Sequence, residues 1–267
     1  MLSEPNFTPQ TARSIRQFLP KTASTDGFPC RSRPLVQPSS DMPQTGRSSH
    51  PVSCRYPRKM TAHAPNERIP SQWEEITAAD STHSTRYVER FRSMRADGKD
   101  IVGEARLIDA MLGRGGRVLD AGCGPGRLGG YLHDVGHVVV GVDVDPVLIA
   151  AAEEDHPGPT WLVGDLAELD LPARGVEADF DVIVSAGNVV AFLAPSTRQA
   201  VLSGFARHLA PSGRVVIGFG AGRGYEFPEF LADATASGLE ADLLLSTWDL
   251  RPFKEDSEFL VAVFSRA

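Results

Sequence analysis

Long apolar runs are missing from this 267-residue chain, and the most apolar stretches, such as Val138 to Val144, are only strand-sized. A membrane-crossing helix needs roughly 20 apolar residues. The sequence therefore implies neither a membrane span nor a membrane partner. Cysteine is scarce: Cys30, Cys54 and Cys123 are the three present. They show no CxxC spacing and form no even set, which argues against a disulfide framework and a zinc site. The expected setting is a reducing one, the cytoplasm. Cys123 stands among glycines, where a small side chain in a tight loop is a plainer reading than a reactive thiol. A basic surplus is also missing from most of the chain. Residues 61–267 carry 31 Asp/Glu against 18 Lys/Arg, whereas residues 1–60 carry nine Lys/Arg against three Asp/Glu. An acidic body repels a phosphate backbone, so no nucleic-acid partner is expected.

Periodicity is what residues 1–70 lack. They are rich in Ser, Thr, Pro and Arg, with scattered apolar residues. Such a segment cannot bury enough surface to offset chain entropy. It reads as a disordered or mis-assigned N-terminal extension, with Met60 as an alternative start. An organelle leader is the weaker reading, because the only amphipathic stretch is a faint one near Ala12 to Leu19.

From Trp73 the pattern becomes regular. Tyr87, Val88, Phe91 and Met94 form one stripe of a helix over 84–97, and apolar positions from Val102 to Leu112 predict a second over 102–112. An alternation follows. Strands are expected at Arg117 to Leu119, Val138 to Val142, Thr160 to Val163, Phe180 to Ser185 and Arg214 to Phe219. Helices fall after the first glycine loop, after Asp145-Pro146, over 197–209 and near 227–237. Alternating strands and helices imply a parallel sheet covered on both faces, with ligands at the carboxyl ends of the strands. Ala241 to Asp249 and Glu258 to Phe264 alternate at period two around the polar turn "RPFKEDS", which predicts a terminal antiparallel hairpin. The fold class is α/β, a Rossmann-like seven-stranded mostly parallel sheet. Residues 71–267 make one domain, with 71–112 as a helical lid segment and 113–267 as the core.

The stretch "LDAGCGPGRLGG", residues 119 to 130, carries the chemistry. Gly124, Gly126 and Gly129 fit GxGxxG, which alone is weak evidence for a dinucleotide. A diphosphate would sit at the positive end of the following helix. Asp120 opposes that: a carboxylate at about 4–5 Å repels a diphosphate by several kcal/mol at an effective dielectric near 20. A cationic ligand reverses the sign. A helix-capping role for Asp120 is the plainer alternative.

"VLDAGCGPGR" resembles motif I of the class I S-adenosylmethionine-dependent methyltransferases, and the resemblance extends over residues 84–267. "VVGVDVDPVLIAAA" and "WLVGDLAELDL" are similar to that family's second and third strand motifs, and "FDVIVSAGNVVAFL" and "LAPSGRVVIGF" to its fourth and fifth. The resemblance implies S-adenosylmethionine as cofactor and methyl transfer as activity. It places Asp120, Ala121, Gly122, Cys123 and Gly124 around the methionyl part, with the glycines letting backbone approach closely. It places Asp143 at the ribose diol, where a carboxylate can accept two hydrogen bonds. Asp145 is read instead as a helix cap before Pro146. Asp165 and Leu166 fall at the adenine, and Val144 and Ala186 beside the cofactor. No metal is implied.

The chain departs from one family pattern. Where some nitrogen methyltransferases carry Asn/Asp-Pro-Pro-aromatic, it has Ser185-Ala186-Gly187-Asn188, which weakens a nucleobase or glutamine-amide acceptor. A small-molecule acceptor is expected. Tyr87, Asn188 and Tyr225 are its candidate contacts, in segments that also hold Trp73, Phe192 and Phe227. Asn188 fits either an acceptor contact or a loop brace. His83, Tyr87 and Tyr225 are the candidate bases, and no catalytic residue is assigned. Arg92 is a candidate for the cofactor carboxylate, with a solvated arginine the plainer reading. An NAD(P)-dependent oxidoreductase and a non-catalytic cofactor-binding protein remain as alternatives.

Overall fold

A computed structural model of the protein describes residues 68–267. The expected N-terminal extension lies outside the described residues except at its last few positions. The described residues open with helix α1 (Gln72–Ala79), which starts at a capping box. The Ser71 side chain accepts from the Glu74 N–H, and the Glu74 carboxylate accepts from the Ser71 N–H at 2.9 Å. Two orphan donors are thereby satisfied at once. Helices α2 (His83–Ala96) and α3 (Gly103–Met111) follow.

The core alternates as the sequence predicts: β1 (Arg117–Ala121), α4 (Arg127–Asp134), β2 (Val138–Asp143), α5 (Pro146–Asp155), β3 (Thr160–Val163), β4 (Phe180–Ser185), α6 (Arg198–His208), β5 (Leu209–Gly220), α7 (Phe227–Ala236), β6 (Leu239–Leu245) and β7 (Phe259–Arg266). The seven strands run in the order β3-β2-β1-β4-β5-β7-β6. Pairs from β3 to β5 are parallel, while β7 pairs antiparallel with both β5 and β6. The order reverses between β1 and β4, so a crevice opens beyond the carboxyl ends of β1 and β4.

Neighbouring side chains on each strand point to opposite faces. On β1, Val118 joins one core layer with Val139, Val182, Val184, Ala105, Ile108, Leu128 and Leu132. Leu119 joins the other layer, with Ile183, Phe205, Phe219, Phe230 and Phe264. Here the expectation of a lid over 71–112 is corrected. Ala105 and Ile108 of α3 are fully buried against the sheet, so only α1 and α2 are placed near the strand ends. Strand β5 also starts earlier than expected. Pro211-Ser212-Gly213 lies inside it, at the register shift between Phe180 and Val182, rather than in a turn before it.

Candidate functional site

A cavity of about 530 Å³ opens at the carboxyl ends of β1, β2 and β4. Small-molecule sites commonly span about 300–1,000 Å³. Its floor is the loop after β1. Gly122 and Cys123 donate their backbone N–H groups to the Val142 carbonyl at 2.8 and 3.1 Å, which pins the loop to β2. Gly122 is left-handed (φ 78°), and a Cβ there would lie 2.5 Å from both methyl carbons of Val189. Only glycine fits that conformation and that approach.

Asp120 is buried at the end of β1, and its Oδ2 accepts from the Gly129 N–H at 3.0 Å. The capping reading therefore holds: this carboxylate satisfies a first-turn donor of α4. It also lines the cavity. A diphosphate would compete for the same helix end, so the GxGxxG match does not make a dinucleotide cradle. Gly129 lets the helix come this close, since a Cβ there would meet Trp161 at 2.8 Å and the Asp120 Oδ2 at 3.2 Å.

Asp143, at the end of β2, also lines the cavity. Its Oδ2 accepts from the Gly124 N–H at 2.8 Å and its Oδ1 from the Asp145 N–H at 3.0 Å. Burial pushes Asp120 up to about 7 and Asp143 up to about 6, against the hydrogen bonds they accept. The folded protein holds the Asp120 proton more tightly than the unfolded chain does. Its contribution to stability is thus full below about pH 4 and is lost as pH rises towards 7. Without added cofactor, Asp120→Asn is expected to remove a few kcal/mol of that decline. Thermal melts of both proteins from pH 4 to 8 check this, and parallel profiles would contradict it.

Asp145 is the N-cap of α5, accepting from the Val147 N–H at 2.8 Å ahead of Pro146. It has a second task that the sequence does not announce. Its Oδ2 accepts from the Trp73 indole N–H at 2.8 Å and from the Ser84 hydroxyl. One buried carboxylate thus ties α1 and α2 to the sheet. Trp73 packs edge-on against His83, Tyr87 and Phe192, with centroids 5.1, 5.2 and 5.9 Å away. Asp165 caps the short 3-10 turn Leu166–Glu168 by accepting from the Ala167 N–H at 2.9 Å.

The structure brings Asp120, Gly122, Cys123, Gly124, Asp143, Val144, Asp165, Leu166, Ala186, Tyr87 and Asn188 to the cavity. Ala121 is different. Its side chain belongs to the core and it does not line the cavity. Cys123 lines it, but burial pushes the thiol up, and it packs with Ile149, Ala152 and Trp161. Tyr225 is a correction. It is buried under Phe219 and Phe230, its hydroxyl donates to Asp233 at 2.9 Å, and Arg198 stacks on its ring. Phe227 likewise packs on Phe219 and Phe253. Arg92 turns away, pairing with Asp155 and Glu154 of α5 at 2.9 and 2.8 Å.

Arg90 faces the cavity instead, its guanidinium 4.8 Å from the Tyr87 ring centroid. His83, Arg86, Tyr87 and Arg90 all line it. Their i, i+3, i+4, i+7 spacing puts them on one face of α2. His83 and Tyr87 are among the candidates the sequence marks; Arg86 and Arg90 are not, because an apolar stripe gives no signal for charged residues on the same face. Arg223 also lines the cavity, from the loop after β5, which has no periodicity to mark it.

Comparison with known proteins matches residues 118–213 to the family model described as a methyltransferase domain. An uncharacterized methyltransferase of Synechocystis is 32% identical over 126 residues, covering 47% of this chain and 57% of that protein. A mouse 18S rRNA (guanine-N(7))-methyltransferase is 29% identical over 107 residues, covering 40% of this chain and 38% of its own length. The chain thus spans less than two thirds of either curated relative. The crystal structure of a TehB-like SAM-dependent methyltransferase from Corynebacterium glutamicum is 52% identical, with a TM-score of 0.67, and is covered over 100% of its length by 70% of this chain. Sequence identity over that whole structure, together with the sheet order, shows that this chain belongs to the class I S-adenosylmethionine-dependent methyltransferases.

Proposed function

We propose that the protein transfers the methyl group of S-adenosylmethionine to a small molecule held beside it in the cavity. One observation carries this reading: the cavity is divided. Asp120 and Asp143 stand at the ends of β1 and β2 and Asp165 just beyond β3, while Trp73, Tyr87, Phe91, Phe192 and Asn188 make an aromatic and polar wall.

The acidic part fits the cofactor. Gly124 backbone approaches the cavity openly, since a Cβ there would meet only the Tyr87 ring edge, at 3.8 Å. Burial holds two carboxylates of this floor above their ordinary range, and a ligand carrying an ammonium and a sulfonium would favour their charged forms. Each Asp143 oxygen accepts one backbone N–H and keeps a lone pair for a ribose hydroxyl. Asp165 and Leu166 would flank the adenine, with Val144 and Ala186 on the cavity wall. Ala121 and Cys123 have backbone to offer, their side chains being packed away. Arg90, beside the Tyr87 ring, would take the cofactor carboxylate for which Arg92 was only a candidate.

When bound, the cofactor supplies a methyl group already activated on sulfur. What remains for this chain is alignment, which can contribute on the order of 7–11 kcal/mol. The aromatic wall excludes water, and Asn188 faces the acceptor. His83, the imidazole on the wall, is placed to take a proton where the acceptor's nucleophile carries one. The acidic balance of residues 61–267 favours a small acceptor over RNA. Incubating the protein and labelled S-adenosylmethionine with a metabolite extract tests this. A labelled low-molecular-weight product is expected. Label confined to RNA would overturn the acceptor class, and tight cofactor binding with no labelled product would point to a non-catalytic protein.

A further inference from the structure

Four arginines line the cavity, and two are already neutralised. Arg86 pairs with Asp80, and Arg127 with Glu104 at 2.6 Å. Arg90 lies over the Tyr87 ring at the glycine-loop side. Arg223 is the fourth, and no hydrogen bond or ion pair involves it among the described residues. Its Nε lies 3.3 Å from where a Gly220 Cβ would stand, and the Asn188 Oδ1 lies 3.7 Å from the same point. Arg223 and Asn188 therefore flank Gly220 at the end of β5.

The Asn188 amide has a fixed orientation. The Gly220 N–H donates to its Oδ1 at 2.9 Å, so the oxygen must face the strand. Both Nδ2 protons remain for the cavity. The brace and the acceptor contact, alternatives in the sequence, are thus compatible in one side chain. The lining carboxylates each accept a backbone N–H, Asp120 from Gly129 of α4, Asp143 from Gly124 of the glycine loop and Asp165 from Ala167 of the 3-10 turn. At Gly220 the cavity offers the Asn188 amide donors and, at its exposed rim, the one uncompensated positive charge of Arg223.

From this arrangement we infer that Arg223 and Asn188 form an anion subsite, and that the methyl acceptor is a small organic carboxylate with a flat apolar body. The inference rests on the methyltransferase reading above. A guanidinium and an amide present planar donors that match a carboxylate. One positive charge balances a carboxylate, whereas a phosphate monoester carries about −1.5 to −2. Trp73, Tyr87 and Phe192 would cover the apolar body.

The test uses the full chain saturated with S-adenosylhomocysteine. Benzoate, indole-3-acetate and phenyl phosphate are titrated by ligand-observed NMR, alongside the primary amides of the two acids. At least one carboxylate is expected to bind about tenfold or more tightly than its amide, as for a hydrogen bond to a charged group. That preference should weaken with added salt. Arg223→Gln should abolish it and Arg223→Lys restore part of it, with S-adenosylhomocysteine affinity unchanged in both. Equal binding of acid and amide, tighter binding of phenyl phosphate, a preference that survives Arg223→Gln, or no carboxylate binding would each overturn the inference. Failure of S-adenosylhomocysteine itself to bind would instead sink the methyltransferase reading and the subsite with it.

Discussion

Asp143→Ala is expected to weaken S-adenosylhomocysteine binding by about two orders of magnitude. Two losses combine. The ribose hydroxyls lose their charged acceptor, and hydrogen bonds to charged groups contribute roughly 1.5–3 kcal/mol each. The Gly124 and Asp145 N–H groups also lose their partner, so the loop that approaches the methionyl part loses its brace to β2. The protein should still fold, because burial already disfavours the charge on Asp143 and its removal leaves no unpaired cation in contact. Asp143→Asn separates the two losses: it keeps one acceptor and the shape while losing the charge, and should fall between. Calorimetric titration reads both. Unchanged affinity in Asp143→Ala would refute the ribose assignment.

Gly122→Ala should be the most damaging single methyl in the molecule's functional loop. The left-handed backbone costs a residue with a Cβ about 1–2 kcal/mol. Overpacking against Val189 adds about 1–3 kcal/mol. Together they predict a fall in Tm of about 5–15 °C for a domain of this size. Adding Val189→Ala should return most of the packing part and leave the backbone part, since the new Cβ meets the Val189 methyl carbons at 2.5 Å and the Val189 Cβ at 3.0 Å. A double mutant no more stable than Gly122→Ala would mean that Val189 does not set the cost.

The fold was legible because burial follows period. β3 and β4 have the bounds that the apolar runs predict, and the terminal hairpin is antiparallel as its alternation requires. The site was legible where the backbone dictates the residue. Asp120, Gly122, Gly124 and Asp143 stand at strand ends and tight turns, and all reach the cavity. Legibility failed where only packing decides. Tyr225 follows two left-handed glycines in the loop after β5, yet its ring turns inward to Phe219. Arg92 and Arg90 are two residues apart on α2, and helix rotation alone sends one to α5 and the other to the cavity. The link from Trp73 and Ser84 to Asp145 spans more than sixty positions, and nothing local in the sequence encodes it. The same limit explains α3: its apolar stripe marks a buried face without saying which surface buries it.

Asp120 shows how one residue can settle between two motifs that share a loop. Read as GxGxxG, residues 124 to 129 offer a diphosphate site; read from Asp120, the helix end is already taken by a carboxylate. The most direct measurement is therefore a thermal-shift titration of the full chain with S-adenosylhomocysteine and, separately, with NADH. Saturable stabilisation by S-adenosylhomocysteine, and none by NADH, is the predicted result. Stabilisation by NADH alone would contradict the account at its centre.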